Sequence, residues 1–127
     1  MALKTYRDLQ VWQKAMDLVE AVYTMTGGFP AREKFGLTSQ IQRAAVSIPG
    51  NIAEGYGRIH RGDYLHHLSI AKGSLTEVET YLTLAVRLKF VSRERALEVW
   101  SLTEQVGKML TKLIASLRRP PTLNPNP

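Results

Sequence analysis

The chain has 127 residues, 44% hydrophobic and 22% charged, which is the profile of one soluble globular domain with a single core. It has no cysteine, which excludes a disulfide framework, a thiolate nucleophile and a cysteine metal site. Seventeen Lys and Arg against eleven Asp and Glu leave a formal charge of +6, a balance that suits a polyanionic partner.

Leu9, Trp12, Met16, Val19 and Tyr23 predict a first helix over about 8–26, with Asp8 as its N-cap and Gly27, Gly28 and Pro30 ending it. After a connector, Ile41, Ala44, Ala45, Ile48, Ile52 and Tyr56 predict a second helix over 37–57. Between Leu37 and Gly57 the only charged side chains are Arg43 and Glu54, so this helix lacks the polar face that solvent demands. Pro49 interrupts its interior, where proline costs about 3 kcal/mol. The apolar phase runs from Ile48 to Ile52 without a slip, which favours a packed kink over a break. Gly55 and Gly57 suit a left-handed C-terminus, and Glu54 suits a buried contact to Arg43 or to backbone.

Asp63 is the expected cap of a third helix running to about 89, with Leu68, Ala71, Leu75, Val78, Leu82 and Ala85 as its seam. Ile70, Tyr81, Leu84 and Leu88 add a second apolar row, and Gly73 mid-helix suggests close approach of a neighbour. Ser92 caps a fourth helix to about 118, with Val99, Leu102, Val106, Met109, Leu113 and Leu117 as its stripe and Trp100 widening it. The expected fold is therefore all-α, an up-down-up-down four-helix bundle over residues 1–119 followed by a disordered proline-rich tail over 120–127.

Catalytic signals are weak. The Ala71-Lys72-Gly73-Ser74 fragment lacks the strand and loop of a phosphate site, and Gly55-Tyr56-Gly57 lacks those of a dinucleotide site. His67 and Asp63 lie one turn apart, but two ligands rarely hold a metal. No enzyme activity, metal or cofactor is expected. The N-terminus carries no signal-like apolar core and no apolar run is long enough to span a bilayer, so the expected location is cytoplasmic, away from membranes.

The residues carry a resemblance. Tyr6-Arg7-Asp8-Leu9, Val11-Trp12-Gln13-Lys14-Ala15 and Phe29-Pro30 begin it. Phe35 to Ile41 and Arg43 to Pro49 continue it, Asn51-Ile52-Ala53-Glu54-Gly55-Tyr56-Gly57-Arg58 is its most specific part, and Ile70 to Leu75 with Glu77-Val78-Glu79 complete it. The chain thereby resembles the four-helix bundle proteins encoded in intervening sequences of bacterial 23S ribosomal RNA genes. Gln42 departs from the pattern, standing where a second basic residue before Arg43 is expected. The resemblance implies a small bacterial protein without catalytic residues, assembled as a ring-like homopentamer. It also implies a fold similar to the accessory variability determinant proteins of diversity-generating retroelements, which bind a reverse transcriptase and its RNA.

Two function classes follow: a nucleic-acid-associated scaffold binding RNA or DNA backbone, which could serve a reverse transcriptase, and a protein-interaction module whose charge only solubilises it. For the first, a bundle of this topology gathers Lys4, Arg7, Arg58, Arg61, Arg118 and Arg119, with Lys112, at the end holding the termini. Cations at helix C-termini complement the dipole, but Lys4 and Arg7 at a helix N-terminus do not. For the homo-oligomer, Ala45, Pro49 and Ala53 on the second helix and Tyr81, Leu84 and Leu88 on the third are the expected interface.

Overall fold

The computed structural model describes residues 4–119, so the tail expected over 120–127 lies outside the described residues. Helix α1 spans Gln10–Thr26, α2 Leu37–Tyr56, α3 Arg61–Arg87 and α4 Arg93–Arg118. Single 3-10 turns precede α1 (Tyr6–Asp8) and α2 (Ala31–Glu33), and no strand occurs among the described residues. Each helix packs on two others: α1 on α2 and α4, α3 on α2 and α4, with α2 against α3 the most extensive pairing. The diagonal pairs α1/α3 and α2/α4 make no such contact among the described residues.

The helix boundaries have local causes. Asp8 does not cap α1; it closes a capping box on the preceding turn, accepting from the Lys4 and Thr5 amides at 2.9 and 3.2 Å while the Thr5 hydroxyl takes the Arg7 amide. Asp63 does not cap α3 either, because the helix starts at Arg61 and places Asp63 in its first turn. Ser92 does cap α4, its Oγ accepting from the Arg95 amide at 3.2 Å. The left-handed residue expected at Gly55 or Gly57 is elsewhere. Gly57 ends α2 in a right-handed conformation, its amide donating to the Ala53 carbonyl. The one positive φ among the described residues is Lys89, at 64°. There the Lys89 amide donates to Val86 and the Phe90 amide to Ala85, a Schellman motif that ends α3.

The core forms where the four helices face one another. On α3 the expected seam of Leu68, Ala71, Leu75, Val78, Leu82 and Ala85 is buried throughout. On α2 Ile41, Ala44, Ala45, Ile48 and Ile52 are buried as expected. The seam of α1 differs: Val11, Ala15, Leu18, Val22 and Met25 point inward, while Met16 and Tyr23 are exposed. On α4 Ala96, Val99, Thr103, Val106 and Leu110 are buried; Leu102, Met109, Leu113 and Leu117 are half-buried, and Trp100 is at the surface.

Helix α2 runs unbroken through Pro49, so the proline is accommodated within one helix. Gly55 explains the close approach of α2 to α3. A Cβ there would fall 2.8 Å from the His67 Cβ and 3.0 Å from the Tyr64 ring. Gly73 has no such role, since nothing lies within 4 Å of where its Cβ would be.

Candidate nucleic-acid interface

The first set of expected binding residues lies where α2 ends, α3 begins and α4 ends. Arg61 joins two of these elements: its Nη1 donates to the carbonyls of Leu117 and Arg119 at 3.2 and 3.4 Å. That bond brings Arg118 and Arg119 beside the start of α3. Arg58 is committed to Glu54, donating to its Oε2 at 2.8 Å one turn back along α2. Lys4 precedes the first 3-10 turn and Arg7 lies within it; the turn packs on α1 and α2. The Arg7 guanidinium lies 4.9 Å from the centre of the Tyr6 ring, and Tyr6 stands edge-on to Trp12. Lys4, Arg7, Arg58, Arg61, Arg118 and Arg119 are all exposed. Apart from Arg58, none of them forms an ion pair among the described residues.

Glu54 is exposed rather than buried; its ion-pair partner is Arg58, not Arg43, and the His67 ring lies nearby. It ends a polar chain along the α2–α3 seam. The His67 Nε2 lies 3.8 Å from the Glu54 carboxylate, and its Nδ1 lies 3.0 Å from Asn51 Oδ1. The Asn51 amide donates to the Ser47 carbonyl and hydroxyl, and the Ser74 hydroxyl donates to Ser47 Oγ at 2.9 Å. Because Asn51 presents its oxygen to the ring, the proton of a neutral His67 belongs on Nδ1. Sequence reasoning treated these residues singly. The available signal was their spacing: Ser47, Asn51 and Glu54 recur by four and three on α2, and His67 and Ser74 lie seven apart on α3.

The expected interface residues divide. Ala45 is fully buried and Pro49 is buried within its own chain, so neither offers surface to another copy and both are removed from that role. The cause is rotation: both lie on the side of α2 turned into the bundle. Ala53 and Tyr81 are half-buried, whereas Leu84 and Leu88 are 42% and 50% exposed. Val46 on α2 and Ile70, from the second apolar row of α3, are also exposed.

No group of three metal-ligating side chains occurs among the described residues. The Ala71–Ser74 fragment lies inside α3 with Ser74 buried against Ser47, which is not a phosphate loop. No helix among the described residues is long and apolar enough to cross a membrane.

Comparison with known proteins finds similar solved structures and a matching family. A crystal structure of a protein of unknown function from the S23 ribosomal protein family of Bacteroides thetaiotaomicron is similar, with a TM-score of 0.74 and 25% identity. That likeness covers 82% of this chain and 97% of the other. Curated proteins give no match. The family described as 23S rRNA-intervening sequence protein matches over residues 7–112, a span that reaches all four helices. The chain belongs to the 23S rRNA-intervening sequence protein family.

Proposed function

We propose that the chain is a non-enzymatic, nucleic-acid-associated scaffold of the cytoplasm: an up-down-up-down bundle, assembled as a ring-like homo-oligomer, that binds RNA or DNA backbone. The observation that carries this reading is that Lys4, Arg7, Arg118 and Arg119 are exposed and form no ion pair among the described residues. The +6 formal charge of the chain supports it. Side chains like these neutralise phosphates without reading bases, so binding is sequence-independent and salt-sensitive. Bonds between Ser47 and Ser74 and between Asn51 and His67 pair ascending α2 positions with descending α3 positions, which supports the up-down order. Five subunits and service to a reverse transcriptase extend the proposal along the family resemblance.

The test compares RNA binding by the parent and by an Arg7→Ala, Arg118→Ala, Arg119→Ala variant at two salt concentrations. Arg58 and Arg61 are left intact because both hold structural partners. The variant should bind more weakly, and its log K against log salt slope should be shallower by about 0.7–0.9 per lost phosphate contact. Equal affinity and equal slope in a folded variant would remove this surface from the reading.

A second reading, a protein-interaction module, rests on the groove between α3 and α4. Leu82, Val86, Ala96, Leu97 and Trp100 line it, and Leu97 is 62% exposed.

A further inference from the structure

The α3–α4 turn and the end of α1 enclose a cleft of about 570 Å³ at the end of the molecule away from Arg61 and the close of α4. Half-buried Val86 and Phe90 give it an apolar wall over the buried Met25 and Val91, while Lys89, Arg93 and Arg95 give it three cations. Arg95 reaches back to the end of α1, its Nη1 4.0 Å from where a Gly28 Cβ would stand. No carboxylate lines the cleft. Glu94 lines the neighbouring α3–α4 groove instead, and the Glu33 Oε1 accepts from the Leu37 amide at 3.1 Å at the start of α2. Lys89, Arg93 and Arg95 form no ion pair among the described residues.

This arrangement is electrostatically unfavourable without a counter-charge. Three like charges share one concavity, and two of them occupy the first turn of α4, where the helix dipole is already positive. A bound dianion adds an attraction to each cation and to the positive end of the dipole, which offsets these repulsions. A phosphomonoester carries about −1.5 to −2 charges near neutral pH, against about −1 for a backbone diester. Guanidinium forks suit its oxygens. The apolar wall suits a flat base, and the cleft volume falls in the ordinary range of small-molecule sites, about 300–1,000 Å³.

We propose that this cleft binds the phosphomonoester of a nucleotide, with Lys89, Arg93 and Arg95 around the phosphate and the Val86 and Phe90 wall against the base. A free mononucleotide and the 5′-phosphate end of a nucleic-acid strand share this chemistry. The site is separate from the basic group of Arg7, Arg118 and Arg119, so either can fail without the other.

Isothermal titration calorimetry with AMP, adenosine, inorganic phosphate and a short oligonucleotide with and without a 5′-phosphate tests the proposal. The parent should bind AMP more tightly than phosphate or adenosine. An Arg93→Gln, Arg95→Gln variant should lose about tenfold or more in AMP affinity, and an Arg118→Gln, Arg119→Gln variant should keep it. Tighter binding of the oligonucleotide with the 5′-phosphate than without it, with the difference lost in the cleft variant, assigns the site to strand ends; equal binding of the two oligonucleotides assigns it to free nucleotides. No millimolar binding of any phosphorylated probe overturns the proposal. So does AMP binding that is no tighter than phosphate, or that is equal in the cleft variant and the parent. Circular dichroism checks the fold; if the double variant is unfolded, the exposed Lys89→Gln variant carries the same comparison.

Discussion

Tyr64 illustrates how one side chain ties pH to the α2–α3 seam. Its ring stands edge-on to Tyr56, with centroids 6.1 Å apart. Burial lifts its phenol above the ordinary value of 10.0, and the neighbouring Tyr56 lifts it further. In the unfolded chain the phenol loses its proton at lower pH, so between the two pKa values the folded state holds the extra proton. The stabilisation is fully present below about pH 10 and is lost as pH rises through the folded value. Urea unfolding should therefore show stability declining above pH 10, and Tyr64→Phe should make that decline shallower. Coincident alkaline limbs for the two proteins would remove Tyr64 as the cause. Other single residues were less legible in the sequence. Composition marked Glu54 as the odd carboxylate on an apolar helix, but only the rotation of α2 decides that it faces Arg58 and His67. Lys89 in the left-handed region defied propensity, which favours glycine there, because the Schellman hydrogen bonds and the packing of Phe90 on Phe29 hold the turn.

The helices themselves were legible because their apolar residues recur at helical period, but period does not fix phase. On α3 one seam dominates, and it is the buried one. On α1 two adjacent stripes compete. Met16 and Tyr23 are the larger residues, yet small Ala15 sits at the fully buried position. On α4 buried Thr103 is polar and so escapes an apolar count; its hydroxyl is satisfied by the Trp100 carbonyl at 2.7 Å. The α2–α3 pairing yields a direct prediction at Gly55. An alanine Cβ would meet His67 Cβ at 2.8 Å and the Tyr64 carbonyl at 3.3 Å, neither of which is a flexible tip. Gly55→Ala should destabilise the fold by about 1–3 kcal/mol through overpacking, despite alanine's better helix propensity. An unchanged or raised denaturation midpoint would mean that the helices separate there without cost.

For the whole molecule, the sequence anticipated a basic end and uncovered apolar rows, but not which cations are free. Arg58 and Arg61 are bound to Glu54 and to the α4 carbonyls, while Lys89, Arg93 and Arg95 converge on a cleft that chain order alone does not reveal. The proposed assembly can be probed through two helix glycines that the single chain does not explain. Nothing lies within 4 Å of a Cβ built at Gly50 or Gly73. In an isolated subunit, alanine at each site should stabilise the helix by about 0.5–1 kcal/mol. Exposed Val46 precedes Gly50 by one turn on α2, and exposed Ile70 precedes Gly73 on α3, where Leu84 and Leu88 prolong the apolar surface. If a second copy packs closely on this surface, the added methyls hold the backbones apart. The proposed oligomer therefore predicts that Gly50→Ala, Gly73→Ala lowers the mass measured by light scattering at micromolar concentration, toward the 14.3 kDa subunit. An unchanged mass with a raised denaturation midpoint would show that no copy approaches closely there, and the interface would have to lie on another face.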